Sequence, residues 1–204
     1  MLYESVKEKD FIQNQSLNEL NKLRFYYLGK RLHYKDAFEY ASLFLQRKIT
    51  VIINADCYIG IGFEKLEENI LSHNVLYALT RHESSSNIQN CGATDLCGPG
   101  AKYIGSHDAF VFQLSSPVSR DVLERINFRS NIVSIERVLI YNLRQHGNFT
   151  VRNPCKILHI VHNHCSKYRI TKERFIGGEK VRLDKYLKMD GIPFWTFTAP
   201  FSDL

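Results

Sequence analysis

Ile49-Thr50-Val51-Ile52-Ile53-Asn54-Ala55-Asp56-Cys57-Tyr58 is the stretch on which the reading of the chain turns. Five β-branched residues run without alternation and then break into a polar trio ending in a carboxylate. A continuous apolar run of this length reads as a strand buried on both faces, the usual state in a parallel sheet. In open α/β sheets, ligands sit beyond the carboxyl ends of the strands, where Asn54 and Asp56 lie. Successive side chains of a strand alternate, so Asn54 and Asp56 share one side while Ala55 points away. A carboxylate with an amide oxygen two residues earlier makes half a shell for a hard divalent cation carrying phosphates.

The flanking sequence supplies alternating elements. Before the strand, Ala37, Phe38, Ala41, Phe44 and Leu45 make one apolar stripe, which predicts a helix over 35–46. Further back, 23–28 reads as a strand closed by Gly29, and Met1-Leu2-Tyr3 as the stub of a first one. After the strand, Gly60 and Gly62 precede a helix expected over 63–71, and then a strand over 75–80. Strand alternating with helix is the pattern of an α/β domain with a largely parallel sheet. From 81 to 106 serines and glycines read as one long loop, of the kind that serves a site. A strand over 109–114, a short helix over 119–126 and strands over 149–152 and 156–161 follow. Between them lies a helix over 134–146, capped by Ser134 and stopped by Gly147. The basic, then aromatic, tail reads as an arm wrapping the domain.

The bulk properties fit one domain spanning 1–204. The chain has 204 residues, 44% hydrophobic and 24% charged, which suits an ordinary globular core and excludes a disordered polymer. No apolar run reaches the roughly 20 residues of a membrane span, and the polar start is unlike a signal peptide, so a cytoplasmic protein is expected. The net charge of +6 suits a polyanionic partner. Because the positive charges are dispersed and no nucleic-acid-binding motif is present, a basic nucleic-acid module is the weaker account. An odd count of five cysteines favours reduced thiols over a disulfide framework. Cys91, Cys97, Cys165, His162 and His164 lack the short spacing of a zinc site. Asn148-Phe149-Thr150 is a glycosylation sequon with no evident route to the secretory pathway.

The Asn54-Ala55-Asp56 step resembles the Asp-x-Asp motif of GT-A fold glycosyltransferases, in an Asn-x-Asp variant. The segment Gly29-Lys30-Arg31-Leu32-His33-Tyr34-Lys35-Asp36-Ala37-Phe38 is similar to the one preceding that motif in small bacterial and viral members. Ser106-His107-Asp108-Ala109-Phe110 resembles the acceptor-side segment, and Ser134-Ile135-Glu136-Arg137 the acidic start of a helix in inverting members. The resemblance covers about residues 23–168, leaving 169–204 as the C-terminal arm.

The resemblance implies a GT-A-like α/β domain with a mixed, mostly parallel sheet flanked by helices. It would be a hexosyl- or deoxyhexosyltransferase moving a sugar from a nucleotide-diphosphate sugar to a glycan or other hydroxyl acceptor, with inversion. Mn²⁺ or Mg²⁺ would be held by Asp56 with His162 and His164 making up for the charge missing at Asn54. Arg31, Asp36, Asn54 and Asp56 would border the nucleotide, and Glu136 or Asp108 would be the general base. The first strand is short for this family, which keeps open an inactive, partner-binding relative.

Overall fold

The strand Val75–Thr80, fully buried along its length, is the centre of the fold. The computed structural model describes residues 2–3, 24–67, 71, 74–102, 105–130, 132, 135–163 and 197–204. In chain order the elements are β1 (Leu2–Tyr3), β2 (Tyr26–Tyr27), α1 (Tyr34–Phe44), β3 (Ile49–Ile53), β4 (Cys57–Ile59), β5 (Val75–Thr80), β6 (His82–Glu83), α2 (Ser85–Cys91), β7 (His107–Gln113), α3 (Arg120–Arg125), α4 (Ile135–Gln145), β8 (Thr150–Arg152) and β9 (Ile160–His162). A 3₁₀ turn, Phe63–Lys65, stands where a helix over 63–71 was expected.

The main sheet has the order β3-β7-β5-β8. β7 runs antiparallel to both its neighbours, and β8 runs parallel to β5. The chain is therefore α/β, but its sheet is mixed rather than mostly parallel. β3, β5 and β8 do run the same way, as strand–helix alternation predicts; β7 is inserted in reverse between β3 and β5. β3 is thus an edge strand and only half-buried, not enclosed on both faces.

Alternation along β5 and β7 builds a core on each face. Leu76, Ala78, Phe110 and Phe112 face α1, α3 and α4, which contribute Phe38, Val122, Leu139 and Leu143. Val75, Tyr77, Leu79, Ala109 and Val111 face the other way, against Leu158 and Ile160. Phe38 is fully buried and stacks on Phe112 with ring centroids 4.8 Å apart.

A second sheet has the order β4-β9-β6. Three strands of the main sheet feed it: β3 leads into β4 through residues 54–56, β5 into β6 through Arg81, and β8 into β9 through the turn at 153–159. The turn packs closely against Gly62, whose φ of +96° only glycine adopts readily and where a Cβ would collide with the Ile157 carbonyl. The tail returns along 197–204: Asn153 donates its backbone N–H to Pro200 O at 3.0 Å, and Phe197 packs edge-on to Tyr141.

The stretch 81–106 is not one loop, since it contains β6 and α2. Ser84 caps α2 by accepting from the Asn87 N–H. The cysteines differ from expectation too. Cys97 and Cys155 form a disulfide and Cys91 is also disulfide-bonded, while Cys57 remains a thiol. Oxidised Cys91 and Cys97 cannot be zinc ligands, and the reduced-thiol reading does not hold.

Truncating Phe38 removes a ring from a site that cannot collapse around the loss. Phe38→Ala should cost about 3–5 kcal/mol, whereas Leu43→Ala on the exposed side of α1 (Leu43 is 66% exposed) should stay within about 0.5 kcal/mol. Urea unfolding of the two variants measures the difference.

Candidate functional site

The seam between the two sheets carries a belt of polar side chains, each delivered by the end of a strand. Asn54 follows β3, Arg81 follows β5, Glu83 ends β6, Asp108 sits at the start of β7, and His162 ends β9. Because β7 is antiparallel to β3 and β5, its first residues meet their last ones. Cross-strand register does the rest: His162 pairs with Cys57 on one side and with Glu83 on the other.

From one end of the belt, Asn54 donates its side-chain amide to Asp108 Oδ1 at 2.7 Å, and its backbone N–H to the Asp108 carbonyl at 3.0 Å. Asp108 Oδ2 accepts from Arg81 Nη1 at 3.1 Å and from Ser106 Oγ at 3.2 Å. Arg81 Nε donates to Glu83 Oε1 at 2.9 Å. Glu83 Oε2 accepts from His162 Nδ1 at 2.8 Å and from Asn87 Nδ2 at 3.0 Å. His162 Nε2 faces Asp56 Oδ2 at 3.4 Å.

Burial sets the proton affinities. Burial pushes the Asp108 carboxyl up, against the pull of Arg81 and Ser106, and the net shift is upward. Burial also acts to raise Glu83, but hydrogen bonds from Asn87, His162 and Arg81 outweigh it and hold Glu83 below the usual carboxylate range. Burial works against the Arg81 charge, yet Asp108 and Glu83 together keep it firmly protonated.

An ionised Glu83 can only accept, so the proton lies on His162 Nδ1 and Nε2 is turned toward Asp56. A neutral imidazole then sets a lone pair against a carboxylate oxygen. A positive charge between them, either a proton on Nε2 or a divalent cation, satisfies both. Two donors 3.4 Å apart, each about 2.1 Å from a shared ion, subtend about 110° there, which suits a real coordination shell. Among the described residues, no group of three or more His, Cys, Asp or Glu is placed to hold a metal by itself. A cation here would complete its shell with phosphate and water, as Mg²⁺ does.

The belt brings together Asn54, Asp56, Asp108 and His162 from the sequence-derived set. Asn54 and Asp56 do not point the same way along one strand, because the chain turns at 55–56 and Cys57 N bonds back to Asn54 O at 3.0 Å. Glu136 stands in the first turn of α4. It is not one of the side chains that make the belt contacts given above; burial, then the charges of Glu136 and Asp108, push the phenol of Tyr34 up. Asp36 has a local role at the start of α1, accepting from the His33 N–H at 2.9 Å and from Lys30 Nζ at 2.8 Å. Arg31 is exposed on the approach to α1. His164 lies outside the described residues.

Arg81, Glu83 and Asn87 were not singled out in the sequence. The signal available was a charged trio, Arg81-His82-Glu83, directly following a wholly apolar strand. Cys57, next to Asp56, is not an activated thiol: burial, then Asp108 and Asp56, push it up.

Comparison of the chain with protein-family models, curated proteins and solved structures finds no match to any of them.

The Asn54–Asp108 contact yields a pH test. In Asn54→Asp two carboxylates face each other at hydrogen-bond distance, so one of them titrates well above its unfolded value of roughly 3.9. A folded pKa above the unfolded one means that the native state binds more protons between the two values. Stability then falls as pH rises through the folded pKa. The variant should therefore approach wild-type stability near pH 4 and lose the most at pH 7, as measured by denaturation at each pH.

Proposed function

We propose that the chain is a metal-assisted glycosyltransferase that moves a sugar from a nucleotide-diphosphate sugar to a hydroxyl acceptor. One observation carries this reading: Asn54, Asp108 and His162 lie in one hydrogen-bonded belt, and Asp56 faces His162 at its end, where an α/β sheet binds ligands.

In this reading Asp56 and His162 hold a divalent ion, Mn²⁺ or Mg²⁺. Such an ion neutralises a departing diphosphate and orients it. Glu83 fixes the ring of His162 so that Nε2 faces Asp56. Metal-binding histidines are commonly oriented in this way by a carboxylate behind them, and losing the partner weakens metal binding about 10–100-fold.

The general base must have a lone pair available to the acceptor hydroxyl. Asp108 already accepts from Asn54, Arg81 and Ser106, which makes it the anchor of the belt. Glu136, the acid in the first turn of α4, takes the role of base. Tyr34 packs edge-on to Phe110 and Phe128, and burial raises its phenol so that it keeps its proton.

Three variants test the assignment. Asp56→Ala should abolish Mn²⁺-dependent binding of a nucleoside diphosphate in calorimetry while leaving the unfolding midpoint nearly unchanged; undiminished binding rejects the metal site. Glu136→Gln should keep donor affinity and lose about 10²–10⁴-fold in turnover. Asp108→Asn should instead lose stability, by about 3–5 kcal/mol if Arg81 is left with a broken pair. Normal turnover in Glu136→Gln with a large loss in Asp108→Asn would move the base to Asp108.

A further inference from the structure

We infer that Asn148 is an acceptor for an N-linked glycan and that the chain matures in an oxidising, secretory-type compartment. The disulfides supply the first observation. Cys97 is 2% exposed, Cys155 is fully buried, and the bond between them joins segments 58 residues apart. Cys91 stands in a disulfide as well. Such bonds form and persist in oxidising compartments and are rare where thiol reductants dominate. Asn-x-Thr acceptors are modified in compartments of that kind.

The geometry of the sequon supplies the second observation. Asn148 lies in the turn between α4 and β8, exposed, at a φ of +55° that asparagine tolerates better than most residues. Thr150, which completes the Asn148-Phe149-Thr150 motif, is exposed, while Phe149 between them is 8% exposed and packed into the core. The sequon therefore presents both of its polar residues outward on a turn held by its central ring. The Asn148 side chain makes no hydrogen bond among the described residues, so a glycan there breaks none.

The position is also compatible with the belt. Thr150 pairs with Val75 at the start of β5, and its N–H bonds to Asn74 O at 2.8 Å. The belt lies beyond Thr80, at the other end of the same strand. Five strand steps put the two ends about 16 Å apart. A glycan on Asn148 extends from the far end of the sheet and leaves the seam open.

The modification is a group transfer. The Asn148 Nδ2 attacks C1 of the first sugar of a lipid-linked oligosaccharide diphosphate. The C1–O bond to phosphate breaks, the lipid diphosphate leaves with the electron pair, and the amide nitrogen gives up one proton to a base of the transferring enzyme.

The test begins with the full chain recovered from the cells that make it, digested without reduction. Its peptides are read by mass spectrometry before and after enzymatic release of N-glycans in heavy-oxygen water. The 148 peptide should appear only after release, as labelled aspartate, and Cys97 and Cys155 should emerge as one linked pair. An unmodified Asn148 peptide as the main form, or separate Cys97 and Cys155 thiol peptides, overturns the inference. In a eukaryotic secretory host, Asn148→Gln and Thr150→Ala should each remove one glycan from the intact mass. The second variant leaves the Asn148 amide and its turn in place. Because transfer precedes folding, the intracellular precursor gives the same answer if a variant is not secreted. A wild-type glycan count in either variant assigns the sugar elsewhere and overturns the site.

Discussion

The carboxylate of Glu83 is the constraint on which the belt depends. With 3% of its side chain exposed, it is tolerated only if its charge is met inside the protein. Arg81, Asn87 and His162 meet it. Each of those contacts fixes a different element: the β5–β6 junction, α2 and β9. Arg81 then needs Asp108 for the rest of its charge, and Asp108 takes Asn54. A buried ionic network of this kind is weak evidence for stability, because an apolar replacement of similar volume is often no worse. What the network does supply is placement. It holds side chains from positions 54 to 162 in one arrangement and leaves the Nε2 of His162 and the carboxylate of Asp56 opposed.

That placement follows from topology. β3, β5 and β8 run in the same direction and each passes the chain to the smaller sheet beside it. At the first two transfers, 54–56 and Arg81, the residues have left one ladder and begin another, and their side chains take part in neither core. Polar groups can collect there without interrupting the apolar faces formed by Leu76, Phe110 and Phe112 on one side and Tyr77 and Val111 on the other. The reversed strand β7 matters for the same reason. Only a strand running against its neighbours brings its first residue, beside Asp108, to the end where β3 and β5 finish.

Some of this was legible in the residues. β5 has the limits that its apolar run and the following Arg81 imply. α1, α3 and α4 declare themselves by apolar spacing, while Ser134, the cap expected for α4, lies outside the described residues. β3 was placed correctly in sequence but misread in depth, since a β-branched run looks alike at an edge and at a centre. The direction of β7 has no marker in its own sequence. β6 has two residues and α2 is a short polar helix, so neither produces a hydrophobic period strong enough to separate it from loop. Asn54, Asp56 and Asp108 could be found because they follow or open clear strands. Glu83 could not, because its importance lies in being buried, and burial in a two-residue strand is a tertiary fact. The Cys97–Cys155 bond was hidden for a like reason: cysteines far apart in sequence carry no pairing information until the β8–β9 turn brings them together.

Asn54 shows how the local charge balance and the proposed chemistry constrain each other. A carboxylate in its place would bring a second negative charge toward a cation at Asp56, which is why acids predominate in motifs of the Asp-x-Asp kind. The same carboxylate would meet Asp108 Oδ1, now 2.7 Å from the Asn54 amide, with no proton to share. Arg81 is already divided between Asp108 and Glu83 and cannot neutralise a third acid. The amide therefore suits a belt whose single guanidinium is fully engaged, and the electrostatic cost moves to the cation side. There Asp56 is joined by an imidazole rather than by another carboxylate. A site of one carboxylate and one histidine holds a divalent ion weakly on its own and depends on the phosphates of the ligand for the remainder of its shell. In the proposed reading, metal and nucleotide would then bind together and strengthen each other, because asparagine rather than aspartate stands at position 54.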